Sequence, residues 1–288
     1  MGTLSRSWDL LKQSLAVLMS DKELMWLPVI SGIFCLLAMV TICGSGFLYV
    51  LPPGPIPHDA VQQKELTRQM APFMFLFYVV SYSVTTYFNV ALVAIAADRL
   101  AGGNARLNDG LQLAWQRKWA ILQWALLAAT VGMLLQMLDE RRLGFIGRMI
   151  TWFTGVVWTI ASFFVIPIIA AEGLGPIDAL GKSAKLFHKT WGERAVAAFS
   201  FGAIFLLLAL PGMALPIVGP MYIGKSGALA GLALALIYFL ILAILSSAAR
   251  GIFLAAVYRY ATTQQVSGGF QLEDLAGGWR PKSGFSSY

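Results

Sequence analysis

Ala228 to Ser247 reads ALAGLALALIYFLILAILSS, twenty residues without a charge. As a helix this stretch is about 30 Å long, the thickness of a bilayer's hydrocarbon core. It is apolar all round, so it has no polar face to turn to water. The reading is a membrane span that continues towards Tyr258. Five more segments pass the same test: Met25–Leu51, ending at Pro52-Pro53; Ala71–Ala97; Ala120–Leu138; Met149–Ala171, with Pro167 near its end; and Ala195 to about Leu215, where Pro211 and Pro216 mark the exit. The expectation is an all-α polytopic membrane protein with six transmembrane helices in three hairpins.

Composition agrees. Of the 288 residues 58% are hydrophobic and 12% charged, and mean hydropathy is +0.71. A soluble chain carries roughly 25% charged residues, so a soluble enzyme, a disordered regulator and a nucleic-acid binder are excluded for the whole chain. The net charge of +7 fits basic cytoplasmic loops instead. Basic residues gather at Arg6, Lys12 and Lys22, at Arg99, Arg106, Arg117 and Lys118, at Lys182, Lys185, Lys189 and Arg194, and at Arg250, Arg259, Arg280 and Lys282. The other side holds Lys64, Arg68, Arg141, Arg142, Arg148 and Lys225. Both termini are therefore expected in the cytoplasm, with the Lys64–Met70 loop and the turn at Lys225 periplasmic.

Each odd-numbered span follows a segment with apolar residues at helical spacing. Leu4, Trp8, Leu11, Leu15 and Leu18 precede the first; Leu111, Trp115, Trp119 and Leu122 lead into the third; Ile177, Leu180, Ala184, Phe187 and Trp191 precede the fifth. These read as amphipathic helices at the cytoplasmic interface. The first is such a helix rather than a cleavable signal, because Arg6, Asp9, Lys12 and Gln13 interrupt its apolar pattern. The even-numbered spans end alike, with FNVALVAIAAD (Phe88–Asp98), FFVIPIIAAE (Phe163–Glu172) and FLAAVYRY (Phe253–Tyr260), each followed by glycines: Gly102-Gly103, Gly173 with Gly175, and Gly268-Gly269. Three copies of an interfacial helix plus a hairpin account for this pattern. The organisation expected is an N-terminal interfacial helix over 1–23, a six-span domain over 24–262 and a cytoplasmic tail over 263–288.

Val165–Glu193 (VIPIIAAEGLGPIDALGKSAKLFHKTWGE), Tyr87–Gly103 (YFNVALVAIAADRLAGG), Trp124–Gly132 (WALLAATVG) and Asp21–Gly32 (DKELMWLPVISG) together resemble an uncharacterised family of bacterial six-span membrane proteins. The resemblance runs through nearly the whole chain and thins after Val266. It implies a multi-pass location in the bacterial inner membrane and lends no activity. More distantly, Pro167 with Glu172, then Ser183, Leu186 and Trp191, are similar to the membrane domain accompanying some glycerophosphodiester phosphodiesterases. There a separate soluble domain carries the chemistry, and the short loops here leave no room for one.

The polar residues within the spans are the candidate ligand or bundle-locking groups. Arg250 lies eight residues inside Tyr258, about 12 Å deep on a helix, where isolated charge is costly. It either snorkels to the cytoplasmic face, follows a helix break near Ser246-Ser247, pairs within the bundle or faces a ligand. Ser81, Thr85 and Asn89 share one helix face, as interhelical glue or as the wall of a polar path. Aligning the three hairpin ends at Asp98, Glu172 and Arg259 places Asn89 and Arg250 at equal depth. Glu172 and Asp98 precede turns, where a carboxylate favours the next helix's N-terminus. Cys35 and Cys43 stand on one helix, too far apart for a disulfide, and with His58 and His188 make no metal set. No catalytic constellation, cofactor motif or metal site is expected. The expected partners are membrane lipids, with anionic headgroups on the cytoplasmic side, a second copy or another membrane protein, and no nucleic acid. A permease- or channel-like handler of lipid, ion or small solute is the leading functional class; a non-catalytic structural, assembly or regulatory component is the alternative.

Overall fold

The computed structural model describes residues 3–50, 60–137, 154–191 and 200–265. Every regular element among them is helical. In order they are α1 (Thr3–Ser20), a 3-10 turn (Lys22–Met25), α2 (Trp26–Ala38), a π-helical turn (Met39–Cys43), α3 (Gly44–Val50), α4 (Ala60–Leu100), α5 (Leu107–Gln116), α6 (Lys118–Met137), α7 (154–162), α8 (Val165–Glu172), α9 (Pro176–Trp191), α10 (Ser200–Ile223) and α11 (Lys225–Thr263). The expected end of the first span at Pro52-Pro53, the Arg141/Arg142/Arg148 cluster, both ends of the 138–153 connection, the start of the fifth span at Ala195, His58, Arg194, Gly268-Gly269 and the tail beyond 265 lie outside the described residues.

Among the described residues four helical stretches are long and apolar enough to cross a membrane: Lys22–Val50, Gln63–Leu100, Thr154–Glu172 and Ser226–Thr263. Lys118–Leu134 and Ile204–Gly219 are shorter apolar helices. Several sequence expectations about helix ends are corrected. Lys64–Met70 is not a loop but part of α4, because Gln, Lys, Glu and Leu are good helix formers that extend the apolar segment outward. Pro211 and Pro216 do not end the fifth segment; α10 continues through both to Ile223. Proline is tolerated there because neighbouring groups in an apolar helix pair can re-satisfy the freed backbone. α11 does not break at Ser246-Ser247 but runs unbroken to Thr263. It ends with Gln264 in the left-handed conformation (φ 58°), ahead of the expected glycines.

The chain forms two compact units. In the first, α10 and α11 are joined by a turn at Gly224, whose φ of 66° favours glycine. The two helices lie so close that a Cβ on Gly231 would meet the Leu215 carbonyl, and Tyr238 donates a hydrogen bond across the pair to the carbonyl of Leu208. The amphipathic α1 packs against both helices, burying Leu11, Ser14 and Leu18 while Trp8 and Lys12 stay outward. The loop after α4 is tied by Asp98, which accepts the Ala105 N–H at 2.9 Å, and by Arg99, which donates twice to the Ala105 carbonyl. Arg99 also pairs with Asp21.

In the second unit α4 is central. Phe34 meets Phe88, and Tyr49 meets Phe73, from the α2–α3 side. Tyr87 donates to the Leu111 carbonyl of α5 at 2.9 Å. α6 stacks Trp124 on Trp158 of α7 at 5.6 Å. The α7–α8 break follows from Pro167. Its missing N–H leaves the Phe163 carbonyl without its helical donor, and Phe164 turns to φ −101°, ψ 7°. The buried Phe164 N–H then donates to the Ser183 hydroxyl of α9 at 2.9 Å.

One burial pattern recurs. Residues 90–96, 164–170 and 251–257, near the C-terminal ends of the apolar segments that hold them, are buried at all but one position each. Earlier turns of α4 and α11 expose Met74, Leu76 and Tyr78, and Leu229, Leu232, Leu236 and Leu240.

Ser183→Ala should destabilise the protein by about 1–3 kcal/mol, because it orphans a buried N–H. Thermal unfolding in detergent should show the loss, with Ser183→Thr retaining most of the stability. An unchanged midpoint for the alanine variant would contradict the bond's role.

Candidate functional site

The polar residues singled out from sequence occupy separate places. Cys35 of α2 approaches the Ser81 carbonyl at 3.7 Å and the Thr85 hydroxyl at 3.6 Å. The Ser81–Thr85 face of α4 therefore turns towards α2. The Ser81 hydroxyl is buried with no hydrogen bond among the described residues. Asn89, one turn on, is half-buried and makes no hydrogen bond among the described residues. The Glu172 carboxylate takes the Lys182 ammonium of α9 at 2.5 Å. Beside it Gly173 adopts φ 66°, and a Cβ there would strike the Arg117 guanidinium. Arg117 thus lies over the C-terminal end of α8, a position the helix dipole favours for a cation.

Arg250 belongs to α11 in the first unit, whereas Asn89, Thr85 and Ser81 belong to the second. Its side chain is exposed, at the point where α11 changes from outward-facing leucines to the buried 251–257 stretch. No hydrogen bond or ion pair to it forms among the described residues. The 24 residues from Ser226 to Ala249 are free of charge and as a helix extend about 36 Å. Arg250 therefore stands at the end of a bilayer-length apolar stretch, where a long basic side chain reaches the headgroups.

Sequence reasoning did not anticipate the concavity in the second unit. α4, α5 and α6, with Phe34 of α2, enclose a groove of about 500 Å³ lined by Phe34, Ser83, Val84, Tyr87, Phe88, Trp115, Lys118, Trp119, Ile121 and Leu122. Its wall is almost wholly apolar. Ser83 uses its hydroxyl on the Val79 carbonyl at 2.7 Å and Tyr87 uses its own on Leu111, so neither offers its proton to the groove. The polar end is Lys118, the first residue of α6, held over the Trp115 ring at 4.4 Å. Trp115 and Trp119 are 60% and 68% exposed. Tryptophans and a lysine where an apolar helix begins form the usual border between hydrocarbon and headgroups. The sequence signal was Trp115-x-x-Lys118-Trp119 at the head of an apolar segment.

The described residues thus define a helical protein with four helices able to cross a membrane and an apolar groove. Residues 69–269, well over half the chain, match the model of a family of unknown function, DUF6159, and the chain belongs to that family. No curated protein matches it.

Because Arg250 has no internal partner among the described residues, Arg250→Gln should change unfolding stability by less than about 0.5 kcal/mol, as for a surface substitution. A loss of several kcal/mol in detergent unfolding would instead place it in a buried pair.

Proposed function

We propose that this protein is a non-catalytic, six-span protein of the bacterial inner membrane, with both termini in the cytoplasm, that handles lipid. The groove beside α4 carries the reading: it is apolar and lined at its polar end by two tryptophans and one lysine. A groove whose hydroxyls are already engaged by backbone carbonyls suits an acyl chain better than an ion or a hydrated solute. The Ser81–Thr85 face gives little support to a polar conduit, since Cys35 packs against it.

Six spans follow if the shorter apolar helices Lys118–Leu134 and Ile204–Gly219 cross as well. The first long helix then pairs with α4, α6 with α7–α8, and α10 with α11. The distribution of basic residues favours a cytoplasmic place for α1, α5 and α9.

Two measurements test this. In a background with Cys35 and Cys43 replaced by alanine, Gln63→Cys should react with an impermeant thiol reagent in intact cells, and Lys189→Cys only after lysis. The opposite result reverses the orientation. Purified protein stripped of lipid should regain thermal stability on adding phospholipid, and Val84→Trp, which fills the groove, should lose much of that gain. Equal stabilisation of both would remove the groove from the lipid reading.

A further inference from the structure

We propose that the groove selects an anionic phospholipid, whose phosphate sits on the Lys118 ammonium while the upper part of one acyl chain lies between α4 and α6. This rests on the lipid-handling reading above and names the lipid class it serves.

The argument begins with what the groove cannot do. Lipid tails are as apolar as the side chains lining it, so moving a chain from the bilayer into the groove brings no hydrophobic driving force. Discrimination therefore falls to the polar end, where the lining holds one charged group, Lys118. That ammonium rests on the Trp115 ring, an attraction that fixes its place without using up its N–H donors. No carboxylate pairs with it among the described residues. Its charge is thus available at the level marked by Trp115 and Trp119.

Chain placement follows from helix geometry. From Lys118 to Leu122 on α6, and from Tyr87 back to Ser83 on α4, the lining extends about 6 Å along the helices, enough for the first few methylenes of a chain. Beyond it the chain would run over exposed Tyr78 and Leu76 of α4 and Leu126 of α6. An uncompensated phosphate suits a single lysine, whereas in a zwitterionic lipid the headgroup's own cation competes for it. The proposed cytoplasmic position of α5 matches the leaflet in which anionic headgroups create a negative surface.

The experiment uses the full chain in phosphatidylcholine nanodiscs doped with phosphatidylglycerol or phosphatidylcholine bearing a photoreactive group near the top of one acyl chain. Crosslinked peptides are mapped by mass spectrometry. Wild type should label within 83–88 and 115–122 and prefer phosphatidylglycerol about fivefold, the effect of one basic residue near an anionic surface. Lys118→Gln should abolish the preference while labelling of the groove persists, and Lys118→Arg should retain it. Lys185→Gln, an exposed change of equal charge on α9, should leave it intact. Equal labelling by both lipids in wild type, or equal loss in Lys185→Gln, would overturn the headgroup assignment and leave the lipid groove standing. Absence of groove labelling by either lipid would overturn both.

Discussion

Backbone amides that cannot reach water have to be paired within the protein, and this constraint shapes the chain more than any single contact. It makes every regular element described here helical. It also explains why the break between α7 and α8 is met by a side chain from elsewhere. Where Pro167 interrupts the ladder, the Phe164 N–H is passed to Ser183 of α9. α9 is thereby fastened to the helix before it, and the Glu172–Lys182 pair and the αL glycine at 173 close the same corner. The equivalent corner after α4 is fastened by different chemistry, with Asp98 and Arg99 clasping Ala105.

Residues 90–96, 164–170 and 251–257 are dense and enclosed, whereas earlier turns of α4 and α11 show large apolar side chains. Hydrocarbon solvates such side chains, so outward leucines in a bilayer carry no penalty. α1, α5 and α9 each bury small or apolar residues on one face: Leu11, Ser14 and Leu18; Gly110 and Ala114; Ala179, Ser183 and Phe187.

Much of this was legible in the sequence, because apolar length and 3.6-residue spacing are properties of composition and order alone. The amphipathic helices could be found from Leu11, Leu18 and Phe187. Helix ends were harder to read. Pro211 and Pro216 look like stops but do not act as such within an apolar helix, and Lys64–Met70 looks like a loop although its residues propagate a helix. The groove was hidden for another reason. Attention to polar residues led to Asn89, Thr85 and Arg250, while the concavity is built from Phe34, Val84, Phe88 and Leu122, which look like ordinary membrane-facing residues one at a time. Only their convergence across three helices, with Lys118 at one end, distinguishes them.

The π-helical turn at Met39–Cys43 has a consequence for how the first long helix keeps its seam. Its buried positions are Leu27, Ser31 and Ala38 before the turn and Gly46 and Val50 after it. In a regular helix the eight residues from Ala38 to Gly46 would rotate the second group about 80° away from the first. The wider turn absorbs one residue, so both groups face the same way, and Gly46 can receive the Phe73 ring of α4. The helix therefore accommodates a change of one residue in length as a local swelling, leaving everything beyond it in register.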